Sequence, residues 1–145
     1  MIKVEINFKI KNSLLSVHDF EKIAKASAKK EQKIKGIVEI NLVGDIEMTK
    51  LNFQFRGKKY PTDVLSFAWS EDNNFPGHYL GQLYICPHQI KRQSKELGIS
   101  EKEEFSRMLV HGLLHLAGHE HHEIKEAKKM FALQENILKD LNYVH

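Results

Sequence analysis

Apolar and polar residues alternate from the first residues of the chain. Val4, Ile6 and Phe8 fall on one side of an extended segment over 2–10, with Lys3, Glu5 and Asn7 on the other. That is the two-residue period of a half-buried strand. Asn12-Ser13 marks a loop. The period then lengthens. Phe20, Ile23, Ala24 and Ala28 recur at helical spacing over about 17–32, with Ser27 at the edge of the stripe. Ser16 and Asp19 stand in the arrangement of a capping box at its start. Gly36 breaks the pattern, and residues 37–43, rich in β-branched types, predict a second strand. Gly44 closes it. Asp45 is placed to cap a short helix over about 46–55, with Met48, Leu51 and Phe55 as its apolar stripe.

Arg56-Gly57 leaves that helix, and Pro61 forbids an early restart. Residues 62–69 predict a third strand, 70–78 a polar loop and 79–86 a fourth strand. Pro87 opens a helix that Gly98 ends, and Ser100 with Glu103 forms a second capping box. The helix that follows is apolar over much of its circumference. Phe105, Leu109, Leu113 and Leu116 share one arc, and Val110 and Leu114 widen it, the pattern of a buried helix. A last helix over about 123–141 carries Ala127, Met130, Phe131, Gln134, Ile137 and Leu138 on one side. Four strands and about five helices, not strictly alternating, predict an α+β fold: one domain over 1–145, a small mixed four-stranded sheet packed with helices.

Composition narrows the class. The chain has 145 residues, 41% of them hydrophobic and 28% charged, ordinary for a globular domain with a buried core. Cys86 is the single cysteine, which excludes a disulfide framework and fits a reducing compartment. The first residues lack the apolar run of a signal peptide, and no apolar run reaches membrane-spanning length. We therefore expect no membrane partner and a cytoplasmic location. The net charge of +3 does not by itself demand a nucleic-acid partner. Its distribution says more: Lys22, Lys25, Lys29, Lys30, Lys33 and Lys35 crowd one segment, and Arg56, Lys58 and Lys59 another. Such clusters attract phosphate backbones, although the first equally reads as a solvated helix face.

The chemistry concentrates in His111-Gly112-Leu113-Leu114-His115-Leu116-Ala117-Gly118-His119-Glu120-His121. His111 and His115, four apart on the buried helix, share a face. Gly118 takes the left-handed backbone that ends a helix, so His121 swings back toward them. Three imidazoles and a vacant fourth position make an open metal site. The spacing is metzincin-like, except that the glutamate those peptidases carry after the first histidine is here Gly112. The competing reading is a set of hydrogen-bonded core histidines or a histidine-rich surface loop. His122 is an alternative ligand, and His119 reads as facing water. Asn52, Thr62, Asp63 and Ser66 either line a cleft or serve local turn bonding.

These residues resemble a known family. The histidine stretch is similar to the motif H-G-x-L-H-L-x-G-x-D-H of the YbeY-type endoribonucleases, bacterial factors of ribosomal-RNA maturation. Leu51-Asn52-Phe53-Gln54-Phe55-Arg56-Gly57-Lys58 and Pro61-Thr62-Asp63-Val64-Leu65-Ser66-Phe67 resemble its L-N-x-x-[YF]-R-x-K-x-x-P-T-D-V-L-S-F, and Leu80-Gly81-Gln82-Leu83-Tyr84-Ile85-Cys86 its L-G-D-I-x-I-C. The resemblance spans nearly the whole chain. It implies a zinc-dependent, single-strand-specific endoribonuclease acting at the 3′ end of the small-subunit RNA, in ribosome quality control and in contact with the small subunit. Zinc, or another divalent ion such as nickel, would bind His111, His115 and His121. Arg56 carries the family's functional arginine and, with His115, the catalytic role. Lys58 and Lys59 are candidates to hold substrate. Glu120 and Gln82 stand where the family has aspartate: Glu120 keeps the charge and is expected just behind the ligands, while Gln82 loses it. A zinc peptidase and a non-catalytic, metal-stabilised assembly factor remain the alternatives.

Overall fold

A computed structural model describes residues 1–11, 14–69 and 78–143. Asn12-Ser13 and all but His78 of the loop expected over 70–78 lie outside them. The elements follow the hydrophobic pattern closely: β1 (Ile2–Phe8), α1 (Val17–Lys30), β2 (Gly36–Leu42), α2 (Asp45–Arg56), β3 (Val64–Ala68), β4 (Tyr79–Ile85), α3 (Pro87–Leu97), α4 (Glu101–Leu116) and α5 (Ile124–Asp140). The strands form one mixed sheet in the order β1-β2-β4-β3. β1 and β4 run parallel to β2, and β3 runs antiparallel to β4. Parallel neighbours need a long crossover, and α1 supplies it between β1 and β2.

The core lies between the sheet and the helices, with α4 at its centre. Phe20 of α1 meets Phe105 of α4 edge to face, centroids 5.8 Å apart. Leu109, Val110, Leu113 and Leu114 of α4 are fully buried beside Ile40, Leu83 and Ile85 of the sheet. Each such side chain contributes roughly 1.5–3 kcal/mol on burial, so α4 is the element the fold can least displace.

Ser16 and Ser100 both cap their helices, but only the first of the two expected capping boxes is complete. Ser16 and Asp19 complete a capping box. Ser100 Oγ accepts from the Glu103 amide, while the Glu103 carboxylate accepts from Arg107. Elsewhere the structure corrects the pattern. The N-cap of α2 is Gly44, and Asp45 lies inside the first turn, its carboxylate held by Arg92 at 2.7 Å. Ser27 is fully buried, its hydroxyl donating to the Ile23 carbonyl. Phe8, Phe55 and Phe131, all expected on buried faces, are 47%, 54% and 47% exposed. Their elements face the core as expected, but these side chains sit at its margin: Phe55 meets Phe67 edge to face and Phe131 stacks with His111. No helix among the described residues is long and apolar enough to cross a membrane.

Candidate metal centre

His111 and His115 project from the last turns of α4, their ring centroids 4.6 Å apart. The helix closes at Ala117, and Gly118 turns the chain with φ 97°. The His119 amide donates back to the Leu114 carbonyl at 3.0 Å, which tightens the turn. His121 thereby returns over the helix end, its centroid 5.7 Å from that of His111 and 5.1 Å from that of His115. One ring nitrogen from each of the three lies within 4.8 Å of the others, a group that can hold a metal ion.

The ring orientations test that fit. The His119 carbonyl can only accept, so at 2.8 Å it receives the Nδ1–H of His115. Gln134 donates its Nε2 to Glu135, which leaves its Oε1 to accept from His111 Nδ1 at 2.9 Å. With both Nδ1 atoms protonated, each Nε2 carries a lone pair in the neutral ring. Those two Nε2 atoms face each other at 3.1 Å. Two lone pairs so close repel each other unless a cation or proton lies between them. A tetrahedral zinc site would separate its nitrogens by about 3.3 Å. Burial, foremost, holds both rings below the ordinary imidazole range, and for His115 the adjacent His111 adds to the shift. The neutral, ligating form is therefore favoured.

Two residues behind the ligands carry no family motif. Gln134, a buried polar residue in the apolar stripe of α5, orients His111; its place in that stripe was the available signal. His119 does not face water. Its ring binds Glu31, just past α1, at 2.6 Å, and this part-buried pair ties the histidine loop to the body. Hydrogen bonding to His119, foremost, holds the Glu31 carboxyl below its ordinary range. Glu120, expected behind the ligands, lies 3.8 Å from His115 Nδ1, a position whose direct hydrogen bond goes to the His119 carbonyl. Its carboxylate also meets His122 at 3.3 Å.

The three histidines open onto a cleft of about 570 Å³ whose walls include Arg56, Thr62, Asp63, Ser66, Glu120 and His122. Arg56 thus joins the histidines as expected. Asp63 accepts from the Val64 amide at 2.7 Å and from Gln93, Ser66 donates to the Gly112 carbonyl, and Asn52 donates to the Tyr60 carbonyl. Asp63 and Ser66 thus line the cleft and are also hydrogen-bonded, whereas Asn52 serves the turn alone. Lys58 and Lys59 lie outside the cleft wall, over the rings of Tyr60 and Phe53. Gln82 donates to Glu39, its partner across β2 and β4, so a carboxylate stands one strand away from where the family has its aspartate. Gly112 faces the sheet: a Cβ there would stand 2.9 Å from Leu83 and 3.2 Å from Val64. No glutamate fits that position.

Comparison with known proteins follows the same lines. A family model described as Endoribonuclease YbeY matches residues 4–142. The chain is 41% identical over 104 residues to the Endoribonuclease YbeY of Ureaplasma urealyticum, covering 72% of this chain and 66% of that one. It is 49% identical over 87 residues to that of Bdellovibrio bacteriovorus, covering 59% and 55%. The matched stretches thus span just under two thirds and just over half of those relatives. The fold is similar to the solution structure of a Thermotoga maritima protein, with a TM-score of 0.66, 30% identity, and coverage of 94% of this chain and 87% of the other.

Proposed function

Because the chain belongs to the Endoribonuclease YbeY family, we propose that it is a zinc-dependent, single-strand-specific endoribonuclease, a single catalytic domain over 1–145. Its substrate is ribosomal RNA in the cytoplasm, at the 3′ end of the small-subunit RNA during late maturation and quality control, with the small subunit as its partner. The observation that carries this reading is the shared cleft: three convergent imidazoles and an arginine line one cavity.

His111, His115 and His121 would hold the ion, and the same donors accept nickel. When bound, a divalent ion there supplies Lewis acidity, lowering the pKa of water and drawing charge from a phosphoryl oxygen. Gln134 and the His119 carbonyl hold the two helical ligands in the tautomer that presents Nε2. Arg56 offers an always-charged planar fork to the phosphate oxygens on which negative charge grows. Lys58 and Lys59 continue that positive charge beyond the cleft and neutralise flanking phosphates. Glu120, bonded to His122 at the rim, keeps a carboxylate beside His115. The peptidase alternative lacks its base, and the packing around Gly112 leaves no space to supply one.

The test is cleavage of a labelled single-stranded RNA carrying the 3′ end of a small-subunit precursor. The chain cleaves it, and His115→Ala abolishes cleavage while keeping RNA binding. Equal cleavage by the variant, or metal-dependent cleavage of a peptide library in its place, overturns the reading. A folded chain that binds precursor but never cleaves it favours the assembly-factor reading.

A further inference from the structure

Three of the large hydrophobic side chains left exposed cluster in eight residues at the end of α2: Phe53 at 51%, Phe55 at 54% and Tyr60 at 54%. Phe55 rests edge-on against Phe67. The other two rings are covered by cations instead of core. Lys59 Nζ sits 5.6 Å from the Phe53 ring centroid and Lys58 Nζ 6.0 Å from that of Tyr60, within the range of cation–π attraction.

This arrangement is anchored. Fully buried Asn52 donates its Nδ2 to the Tyr60 carbonyl at 2.8 Å. The Gly57 amide donates to the Phe53 carbonyl and the Lys58 amide to that of Asn52. Residues 57–60 therefore fold back toward the last turn of α2, whose Arg56 lines the histidine cleft. Residues 53–60 contain Arg56, Lys58 and Lys59 and no acidic residue.

We infer that Phe53 and Tyr60 form a base-stacking platform for single-stranded RNA leading into the histidine cleft, with Lys58 and Lys59 on the phosphates between stacked bases. The inference rests on the nuclease reading for its substrate class. Charge complementarity selects the occupant. A protein interface would deplete lysine at its centre, whereas exposed aromatic rings interleaved with cations suit a polyanion whose units each carry a flat π face. Stacking tolerates any base, so the platform grips single strands without reading sequence, and a duplex, whose bases are already stacked, gains nothing from it.

The test is equilibrium binding of the full chain to two oligonucleotides of equal length and charge, one carrying 2-aminopurine among ordinary bases and one abasic. Fluorescence is read in a stopped flow before turnover. The wild-type chain quenches the 2-aminopurine and binds the abasic strand more weakly, a comparison that needs no variant. Phe53→Leu/Tyr60→Leu weakens binding of the base-bearing strand at least about fivefold and leaves abasic binding unchanged, while Tyr60→Phe restores wild-type affinity. Equal wild-type binding of the two strands overturns the platform, as does a double variant that binds both as the wild type does. A double variant that changes the sedimentation of the protein alone identifies a self-association surface and also overturns it. Quenching without cleavage upholds the platform and sinks the nuclease reading; unimpaired cleavage with unaltered binding in the double variant does the reverse.

Discussion

On the histidine side of the cleft, α4 buries nine of its sixteen residues, and hydrogen bonds that both helical imidazoles donate to α5 and to the loop behind set their tilt. On the Arg56 side, α2 buries Met48 and Asn52 and leaves Ile46, Phe53 and Phe55 more than half exposed. Two walls of one site are thus built to different tolerances. Ligands must converge on a point to within a fraction of an ångström, so the fold orders them in advance and burial offsets the entropy of doing so. A flexible polyanion is gripped by charge and ring faces, and these work only when left in reach of water. The contrast implies that damage to one wall should be separable from damage to the other.

The largest effect that tests the contrast is at Arg56. Arg56→Ala lowers single-turnover RNA cleavage by about 10²–10³-fold while zinc affinity stays at the wild-type value. A joint loss of both would mean that the two walls are one unit. Next comes the opposite lesion. Gln134→Leu frees the His111 ring and lowers zinc affinity about 10–100-fold, measured by competition with a chromophoric chelator, with RNA binding unchanged. Glu31→Gln acts in the same direction through His119 and by less, because the His119 carbonyl remains.

Gly112→Ala sharpens the comparison from the core side. Its methyl group meets Leu83 at 2.9 Å, and overpacking of this kind destabilises by about 1–3 kcal/mol, read as a lower denaturant midpoint. The smallest effect lies at the base of α2. The Arg92 guanidinium, through its hydrogen bond, holds the Asp45 carboxyl below the ordinary aspartate range. The folded value is therefore the lower one, and the contribution is full above the unfolded value of about 3.9, then fades as pH falls through the folded value. The pair is largely exposed, 47% and 41%, so Asp45→Asn costs less than about 1 kcal/mol at neutral pH and nothing in strong acid. Thermal melts across pH check the sign.

Much of this architecture was legible from periodicity. The arcs of α1 and α4, the breaks at Gly36, Gly98 and Gly118, and the return of His121 all follow from local rules of spacing and backbone freedom. What escaped is non-local. Periodicity says which way Phe8, Phe55 and Phe131 point; it does not say whether another element arrives to cover them. Asp45 has the chemistry of a helix cap, and Arg92, 47 residues on, claims it instead. His119 looks like a solvated neighbour of the ligands until α1 brings Glu31 against it from 88 residues away. The three converging imidazoles were readable because helix spacing and the Gly118 turn set their places. The groups that orient them were not, since each arrives from a different element.

On the proposed reading, RNA cleavage depends on one ion held by three imidazoles. Cleavage of single-stranded RNA by chelator-stripped protein, refilled stepwise with zinc while circular dichroism follows the fold, tests it most directly. The expected result is a folded but inactive stripped protein whose activity rises linearly and levels off at one equivalent of zinc. Undiminished cleavage by the stripped protein, or no cleavage at any loading, would contradict it.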